Sequence, residues 1–253
     1  MSLAYLKAEN LKFKRSLFRK LIFIIPAALV LISIIFIFVG IGLGGFSSSM
    51  VCNWCMPIAS ISIVVLCHLA NNKEQKHKYR TLYSLPIDLK KTFISKTILV
   101  AINLLIISLL LSFITVASES ILSDVSAAIS YTGYYIIGYC FLWFSLLWQI
   151  PFCLFLVQKV GFVGSLVINL LASGLGGLII SLTPLFWFFP YSWASRLMIT
   201  LFGVLPNGLL IDKNSRLILS FGESWLLVLI SLLAVMFLTI LFSGWYRRQV
   251  YHN

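Results

Sequence analysis

Six long apolar runs dominate the chain, and its polar residues are concentrated in the segments between them. Roughly 20 helical residues cross the hydrocarbon core of a bilayer, so runs of this length predict membrane-spanning helices. Helices are favoured over barrel strands because each backbone N–H and C=O within lipid needs an internal partner. The predicted spans are 21–43, 50–70, 97–117, 128–157, 162–182 and 225–245. The fourth is long enough to need a tilt or a kink, which we place at Pro151.

The composition agrees with a membrane location for the whole chain. Of 253 residues, 60% are hydrophobic and 10% are charged, against roughly 45–50% and about 25% in a typical soluble domain. A soluble core of this size could not hide so much apolar surface, because the outside of a globule must face water. We therefore predict an all-α polytopic membrane protein that forms one domain over residues 1–253.

The basic residues orient the predicted bundle. With six spans the two termini share one side, and that side carries sixteen of the nineteen Lys and Arg residues. The other side carries only Arg196, Lys213 and Arg216. This imbalance predicts that both termini are cytoplasmic and that the net charge of +12 reflects topology and affinity for anionic lipid. Nucleic-acid binding is disfavoured because the charges flank spans and form no basic domain.

The first twenty residues are polar and basic, and the apolar run that follows them is about 23 residues long with no A-x-A cleavage site. This pattern favours a retained first span over a cleaved signal peptide. Within 1–20, Leu6 and Phe13 share one helical face while Glu9 lies on another. We expect an interfacial helix along the inner membrane surface. A disordered basic tail is the alternative.

Several kinds of chemistry are disfavoured by the residue pattern. Cys52 and Cys55 form a CxxC, but no βαβ pattern or second CxxC accompanies it, so packing thiols are favoured over a redox or zinc site. The seven acidic residues map to loops or span ends, which weakens the case for a proton-coupled transporter. Motifs for an intramembrane hydrolase and the phosphate-binding G-x-x-x-x-G-K-[ST] are absent. We expect no enzyme activity and no cofactor in this chain.

The segment 183–223 is too apolar for a solvated loop and too broken for a span. Pro184 and Pro190 interrupt an aromatic stretch, and an apolar run of about 14 residues ends at Pro206-Asn207-Gly208. Short apolar segments broken by Pro and Gly are typical of re-entrant or interfacial helices. We expect two short helices here that cap the outer rim. The preceding "SGLGGL" (173–178) has small residues that allow close helix packing, either within the chain or against a second subunit.

These features together resemble ABC type-2 exporter permeases over essentially the full chain. The cytoplasmic loop 71–96 contains "E-Q-K-H-K-Y-R-T-L-Y-S-L-P-I", which is similar to the family pattern of an acid, a Thr-Leu pair and a Leu-Pro. The positions that fall on this ATPase-coupling pattern are Glu74, Thr81, Leu82, Leu85 and Pro86. Arg80 stands where the family often has glycine, and Lys96 falls on the family's basic residue at the start of span three.

The outer segment resembles one subfamily, the lantibiotic-immunity permeases. The resemblance rests on "P-Y-S-W-A-S-R" from Pro190, with Trp193 and Arg196, and on "L-P-N-G", with Pro206, Asn207 and Gly208. It implies a bacterial cytoplasmic-membrane permease that expels a membrane-active peptide antibiotic. A permease for bacitracin or a lipid-like substrate is an alternative, as is a membrane sensor or structural subunit without transport.

The resemblance also implies the partners. A separate dimeric ABC ATPase would bind ATP and Mg²⁺, and a second homologous permease would complete the channel. A short helix in the loop 71–96, with Leu82 and Leu85 on its apolar side and Pro86 as its stop, would seat in a groove of the ATPase. The alternative is a loop that only fixes orientation.

Overall fold

The computed structural model describes residues 3–14, 16–40, 45–76, 88–122, 125–212 and 215–248. Nearly all regular structure in these ranges is helical, with one isolated β-bridge between Val204 and Leu210. The α-helices are α1 Leu3–Lys12, α2 Leu17–Phe38, α3 Phe46–Asn53, α4 Ala59–Lys76, α5 Leu89–Leu122, α6 Val125–Leu146, α7 Gln149–Lys159, α8 Gly161–Leu178, α9 Trp193–Phe202 and α10 Phe221–Arg248. A single π-helical turn, Trp54–Ile58, joins α3 to α4. The predicted all-α class is confirmed.

Five helical stretches in the described ranges are long and apolar enough to cross a membrane. They are Leu17–Phe38, Phe46–Asn72, Leu89–Ile121, Gly161–Leu182 and Phe221–Arg248. A sixth span results if α6 and α7 are counted together. Each of the six coincides with one predicted run, although α5 begins eight residues before the run predicted from 97. The run lengths are sufficient to locate the spans because the bilayer thickness fixes the helix length.

The bend expected in the fourth span is present. The segments Thr132–Leu146 and Gln149–Lys159 meet at 43°. Pro151 lies in the first turn of α7, so it has no N–H to donate to the carbonyl of Leu147, four residues earlier. The helix therefore breaks at Leu147 and Trp148, just N-terminal to the proline.

The N-terminal helix is shorter than the expected 1–20 segment. α1 ends at Lys12, and Ser16 Oγ donates a hydrogen bond to the carbonyl of Phe13 at 2.8 Å in the turn before α2. The turn brings the rings of Phe13 and Phe18 to 4.4 Å, and both side chains are buried. The continuous helix is thus interrupted by a turn in which the two rings are buried against each other.

The expected polar face of α1 is also wrong at one position. Glu9 is only 4% exposed and pairs with Lys12 at 2.5 Å. The reason is that α1 packs against α5, so the side of α1 that carries Glu9 faces protein.

The span that contains α3 and α4 lies at the centre of the bundle, because 72% of its most apolar 18-residue stretch is buried. The corresponding share is 28% for α8 and 22% for α10, whose outward faces carry large exposed apolar side chains such as Leu171 and Phe237. Such faces are expected where lipid replaces water around a helix. Three cavities in the described part of the chain adjoin α3.

The bundle has two ends, which we name by their residues. The proximal end carries α1, the end of α4, the start of α5, the end of α7 and the end of α10. The distal end carries α3, the end of α5, the start of α6 and residues 179–212 and 215–220. Successive spans alternate in direction between the two ends.

Candidate functional site

The distal segment between α8 and α10 is folded around its own aromatic residues. Pro184 and Pro190 each open a short 3₁₀ turn, which suits proline because its missing N–H has no partner at a helix start. Trp193 Nε1 donates to the carbonyl of Phe186 at 3.1 Å, and Ser192 Oγ donates to the same carbonyl at 3.1 Å. These bonds hold the turns against the start of α9, which is buried from Trp193 to Ile199.

The expectation of two short helices in 183–223 is corrected by this geometry. The aromatic stretch forms 3₁₀ turns because its prolines interrupt any longer helix, and α9 is the α-helix that the described part of the segment contains. α9 ends at Gly203, which has φ of +63°, a left-handed conformation that glycine adopts without strain. The second expected helix is therefore α9, and it ends before Pro206, where the chain forms a tight turn.

The distal segment runs alongside α8 and not beyond its end. Tyr191 Oη donates to Asn169 Oδ1 at 2.8 Å, and Asn169 lies nine residues before the end of α8. At 1.5 Å per residue, Tyr191 reaches about 13 Å back along the helix. A Cβ built on Gly176 would lie 2.9 Å from the backbone carbonyl carbon of Tyr191. Of the two packing arrangements that the sequence allows for "SGLGGL", contact within the chain is therefore present at Gly176.

Arg196 is buried at the centre of this segment, with 6% of its surface exposed. Its Nη1 donates to the carbonyl of Ser181 at 2.9 Å, and its guanidinium carbon lies 4.6 Å from the ring centroid of Phe186. Burial lowers the pKa of Arg196, and the carboxylate of Glu223 opposes that effect. A guanidinium stays charged in proteins, so Arg196 ties α9 to the end of the α8 span as a permanent cation.

The turn at Pro206-Asn207-Gly208 is attached to α3. Cys52 Sγ donates to the carbonyl of Pro206 at 3.3 Å. Asn207 Oδ1 accepts from the backbone N–H of Leu209 at 3.1 Å, and Gly208 has φ of +83°. Pro206–Gly208 and Cys52 thus form one wall of a cavity of about 230 Å³.

Cavities adjoin α3 on several sides at the distal end. The first, of about 230 Å³, lies against Ser49, Cys52 and Asn53. A second, of about 270 Å³, lies against Ser47, Ser48 and Val51. A third, of about 350 Å³, lies against Phe46 and is otherwise lined by Ile34, Ile37, Phe38, Ser118 and Ile121. The first two cavities have mixed polar and apolar linings, and the third is apolar. Apolar walls with a few polar groups suit an amphipathic ligand.

The proximal end contains a buried ammonium group. Lys96 is 0% exposed, and its Nζ donates to Asn71 Oδ1 at 3.0 Å and to Tyr246 Oη at 3.5 Å. These bonds join the end of α4, the start of α5 and the end of α10. Charged side chains within spans are costly, so a buried one requires polar partners. Asn71 and Lys96 also close the base of the loop 71–96.

The start of α5 is attached to the N-terminal helix. The backbone N–H of Asp88 donates to Tyr5 Oη at 3.0 Å, and Lys91 pairs with the Asp88 carboxylate at 3.4 Å. Burial acts to raise the pKa of Asp88, but the N–H of Lys90 and the ammonium of Lys91 outweigh it and lower that pKa. Asp88 therefore stays ionised and caps the first turn of α5, where an anion is favoured.

The predicted site residues fall into three groups. Five of the six coupling residues lie outside the described residues: Arg80, Thr81, Leu82, Leu85 and Pro86. The sixth, Glu74, is described only as part of α4. Among the distal residues, Trp193 and Arg196 contact Phe186, and Arg196 also bonds to Ser181. Pro190 opens the 3₁₀ turn that precedes α9. Pro206, Asn207 and Gly208 instead line the cavity beside α3. The six residues predicted as one distal site therefore lie in two separate places, one around Phe186 and one at the cavity beside α3.

Some residues of the site were not singled out from the sequence. Asn71, Asn169 and Tyr246 make the bonds described above, and each interrupts or borders an apolar run. A polar side chain in such a run needs a buried partner, because an unpaired one is costly in lipid. That rule could have selected these residues, although it could not have named their partners.

The family is shown by comparison with known proteins. The model of a family described as ABC-2 family transporter protein matches residues 5–176, about two thirds of the chain. The chain belongs to this family. It is a multi-pass membrane permease without a nucleotide-binding site of its own. Membership of this family implies a partner ATPase. No curated protein and no solved structure matches the chain.

Proposed function

We propose that this chain is the permease subunit of an ABC exporter that expels a membrane-active peptide antibiotic, in self-immunity of the lantibiotic type. A separate ATPase dimer supplies the energy, and a second homologous permease completes the membrane unit. The observation that carries the proposal is the set of three cavities against α3. They lie at the distal ends of predicted spans. Two of them combine apolar and polar walls and the third is apolar, which together suits an amphipathic peptide.

The proposed orientation places the proximal end in the bacterial cytoplasm. Eleven basic residues with described side chains lie at that end, against Arg196 and Arg216 at the distal end. Lys159 lies 5.1 Å from the ring of Trp245, and Lys91 lies 5.8 Å from the ring of Tyr5. Such pairs are expected where aromatic rings and cations meet headgroups. The distal cavities then open towards the outer leaflet, where an inserted peptide resides.

The proposed coupling runs through the loop 71–96. The ATPase can move a membrane protein only through a rigid contact, and the bond between Asn71 and Lys96 makes the two ends of the loop one unit. The bond from Lys96 to Tyr246 extends that unit to α10. In this proposal the surface that docks into the ATPase is formed by Glu74, Arg80, Thr81, Leu82, Leu85 and Pro86. Pro86 ends the docking helix.

The test uses cells that carry the complete operon, with Glu74→Ala or Pro86→Ala in this chain. We expect each change to lower the inhibitory concentration of the peptide about tenfold, towards that of cells without the operon, because the energetic link between ATPase and permease is weakened. Lys90→Ala is the matched control, since Lys90 is exposed on the same side of the bundle.

The outcomes separate the parts of the proposal. Membrane fractions must contain each variant at the normal level, as measured by immunoblot. Full protection by both variants would show that the coupling assignment is wrong. If the unaltered operon protects against bacitracin but against no membrane-inserted peptide, the substrate class is wrong. A lack of protection against every compound, with no change in ATPase activity, favours a sensor or structural subunit.

A further inference from the structure

The cavity of about 270 Å³ beside α3 combines aromatic side chains with a carboxylate. Three aromatic side chains and one carboxylate meet there: Tyr134, Tyr135, Phe202 and Glu119. They come from α5, α6 and α9, and Ser47 and Ser48 of α3 form part of the opposite wall. The residues are thus far apart in sequence and are brought together by the packing of four helices.

The aromatic rings form one connected cluster around Phe202. Its ring centroid lies 5.8 Å from that of Tyr134, 5.9 Å from that of Tyr135 and 5.7 Å from that of Tyr139. Phe202 packs directly on Gly138, where an added Cβ would clash with the ring. Tyr139 is in turn fixed by a 3.0 Å hydrogen bond with Thr115. The cluster is therefore held in place on its protein side, while the cavity lies on its other side.

The carboxylate of Glu119 has no hydrogen bond or ion pair with any other residue that the structure describes. The described basic residues of the distal end, Arg196 and Arg216, do not line this cavity, and Arg196 is bonded to Ser181. Glu119 is half-buried near the end of α5. The cavity is thus lined by one carboxylate and by no lysine or arginine from the described part of the chain.

We propose that this cavity binds an ammonium group, of the kind that a lysine side chain or the N-terminus of a membrane-active peptide carries. A carboxylate provides a charge-assisted hydrogen bond to such a group, and aromatic faces attract the cation through their quadrupoles. The proposal deepens the proposed function, on which it rests, by assigning the cationic feature of the substrate. The same chemistry would accept the headgroup of phosphatidylethanolamine, so the test must distinguish these two sources.

The test measures binding to the purified full-length chain in dodecyl maltoside micelles, which contain no ammonium group. The probe is a short amphipathic peptide of leucine and lysine that carries a fluorophore, and its anisotropy reports binding above a protein-free micelle baseline. A matched peptide in which glutamine replaces each lysine shows what the apolar face contributes alone. Phosphatidylethanolamine added to the micelles serves as the competitor.

We expect Glu119→Gln to weaken binding of the lysine peptide about tenfold, and Tyr134→Leu to weaken it several-fold. Neither change should alter binding of the glutamine peptide. Asp212→Asn is the control, because Asp212 is an exposed distal carboxylate outside the cavity. Elution volume and melting temperature show whether each variant is folded, and Tyr134→Leu tests the site independently if Glu119→Gln is unstable.

Displacement of the lysine peptide by phosphatidylethanolamine, dependent on Glu119, supports the ammonium site and identifies the lipid as a second source. Equal binding of the two peptides, or equal binding by Glu119→Gln and the unaltered chain, overturns the proposal. Because the ATPase is absent, the result does not depend on export. If the operon gave no resistance but peptide binding still depended on Glu119, the proposed function would fail and the ammonium site would stand. If the operon gave resistance but binding did not depend on Glu119, only the ammonium site would be refuted.

Discussion

Gly176→Ala is expected to destabilise the protein by about 2–3 kcal/mol, near the upper end of overpacking changes. The added Cβ would lie 2.9 Å from the carbonyl carbon of Tyr191 and 2.9 Å from Cε1 of Phe189. A side chain could rotate away, but the backbone of Tyr191 is held by its turn and by the bond to Asn169. The distal segment must therefore move away from α8. The midpoint of unfolding in mixed micelles of dodecyl maltoside and dodecyl sulfate measures the effect.

Gly174→Ala is the matched control for this prediction. Gly174 lies in the same helix, two residues away, and a Cβ there has no neighbour within 4 Å. The change should be neutral or should stabilise the helix by up to about 1 kcal/mol, because alanine has the higher helix propensity. Equal effects at the two positions would show that the distal segment does not pack closely on α8. Gly176→Ala should also lower peptide resistance if this segment shapes the exit path.

Lys96→Met is expected to destabilise the chain by about 2–3 kcal/mol, because it leaves the buried polar groups of Asn71 and Tyr246 without their ammonium donor. Methionine retains much of the volume of lysine, so the change tests the charge and its bonds more than the packing. The same unfolding measurement applies. We also expect the variant to show ATP hydrolysis by the assembled complex with reduced export, because the bond that joins the two ends of the loop 71–96 is lost.

Two further variants make this second prediction specific. Lys90→Met changes an exposed lysine in the first turn of the same helix and should alter stability by less than about 0.5 kcal/mol. Asn71→Leu combined with Lys96→Met removes both partners, and it should recover part of the stability while export remains low. If export returned together with stability, Lys96 would have a structural role only.

The spans and the bend were predictable because single physical constraints fix them. Bilayer thickness sets the length of an apolar helix, and Pro151, which lies inside the predicted apolar run, removes one hydrogen bond from a continuous helix there. The early end of α1 was not predictable in the same way. It depends on the stacking of Phe13 on Phe18 and on the packing of Glu9 towards α5, which are tertiary contacts that no periodicity reveals.

The candidate site was predictable in its residue types but not in its arrangement. The broken apolar segment marked the distal end, and Arg196 was expected there from its motif. The bond from Tyr191 to Asn169 and the meeting of Glu119 with Phe202 join parts of the chain that are 22 and 83 positions apart. Such pairings arise only when helices take their places in the bundle, so composition and spacing cannot supply them.

Because of the bend between α6 and α7, a displacement along α7 is not transmitted in a straight line along the fourth span. At its proximal end, Phe155 stacks on Phe242 at 4.4 Å, so α7 packs against the end of α10. At the break, Trp148 lies 4.8 Å from Tyr191 and 6.2 Å from Trp193. A push along the axis of α7 would therefore be turned through 43° and delivered sideways to the distal segment. A straight span would transmit the same push to the far side of the membrane and leave that segment still.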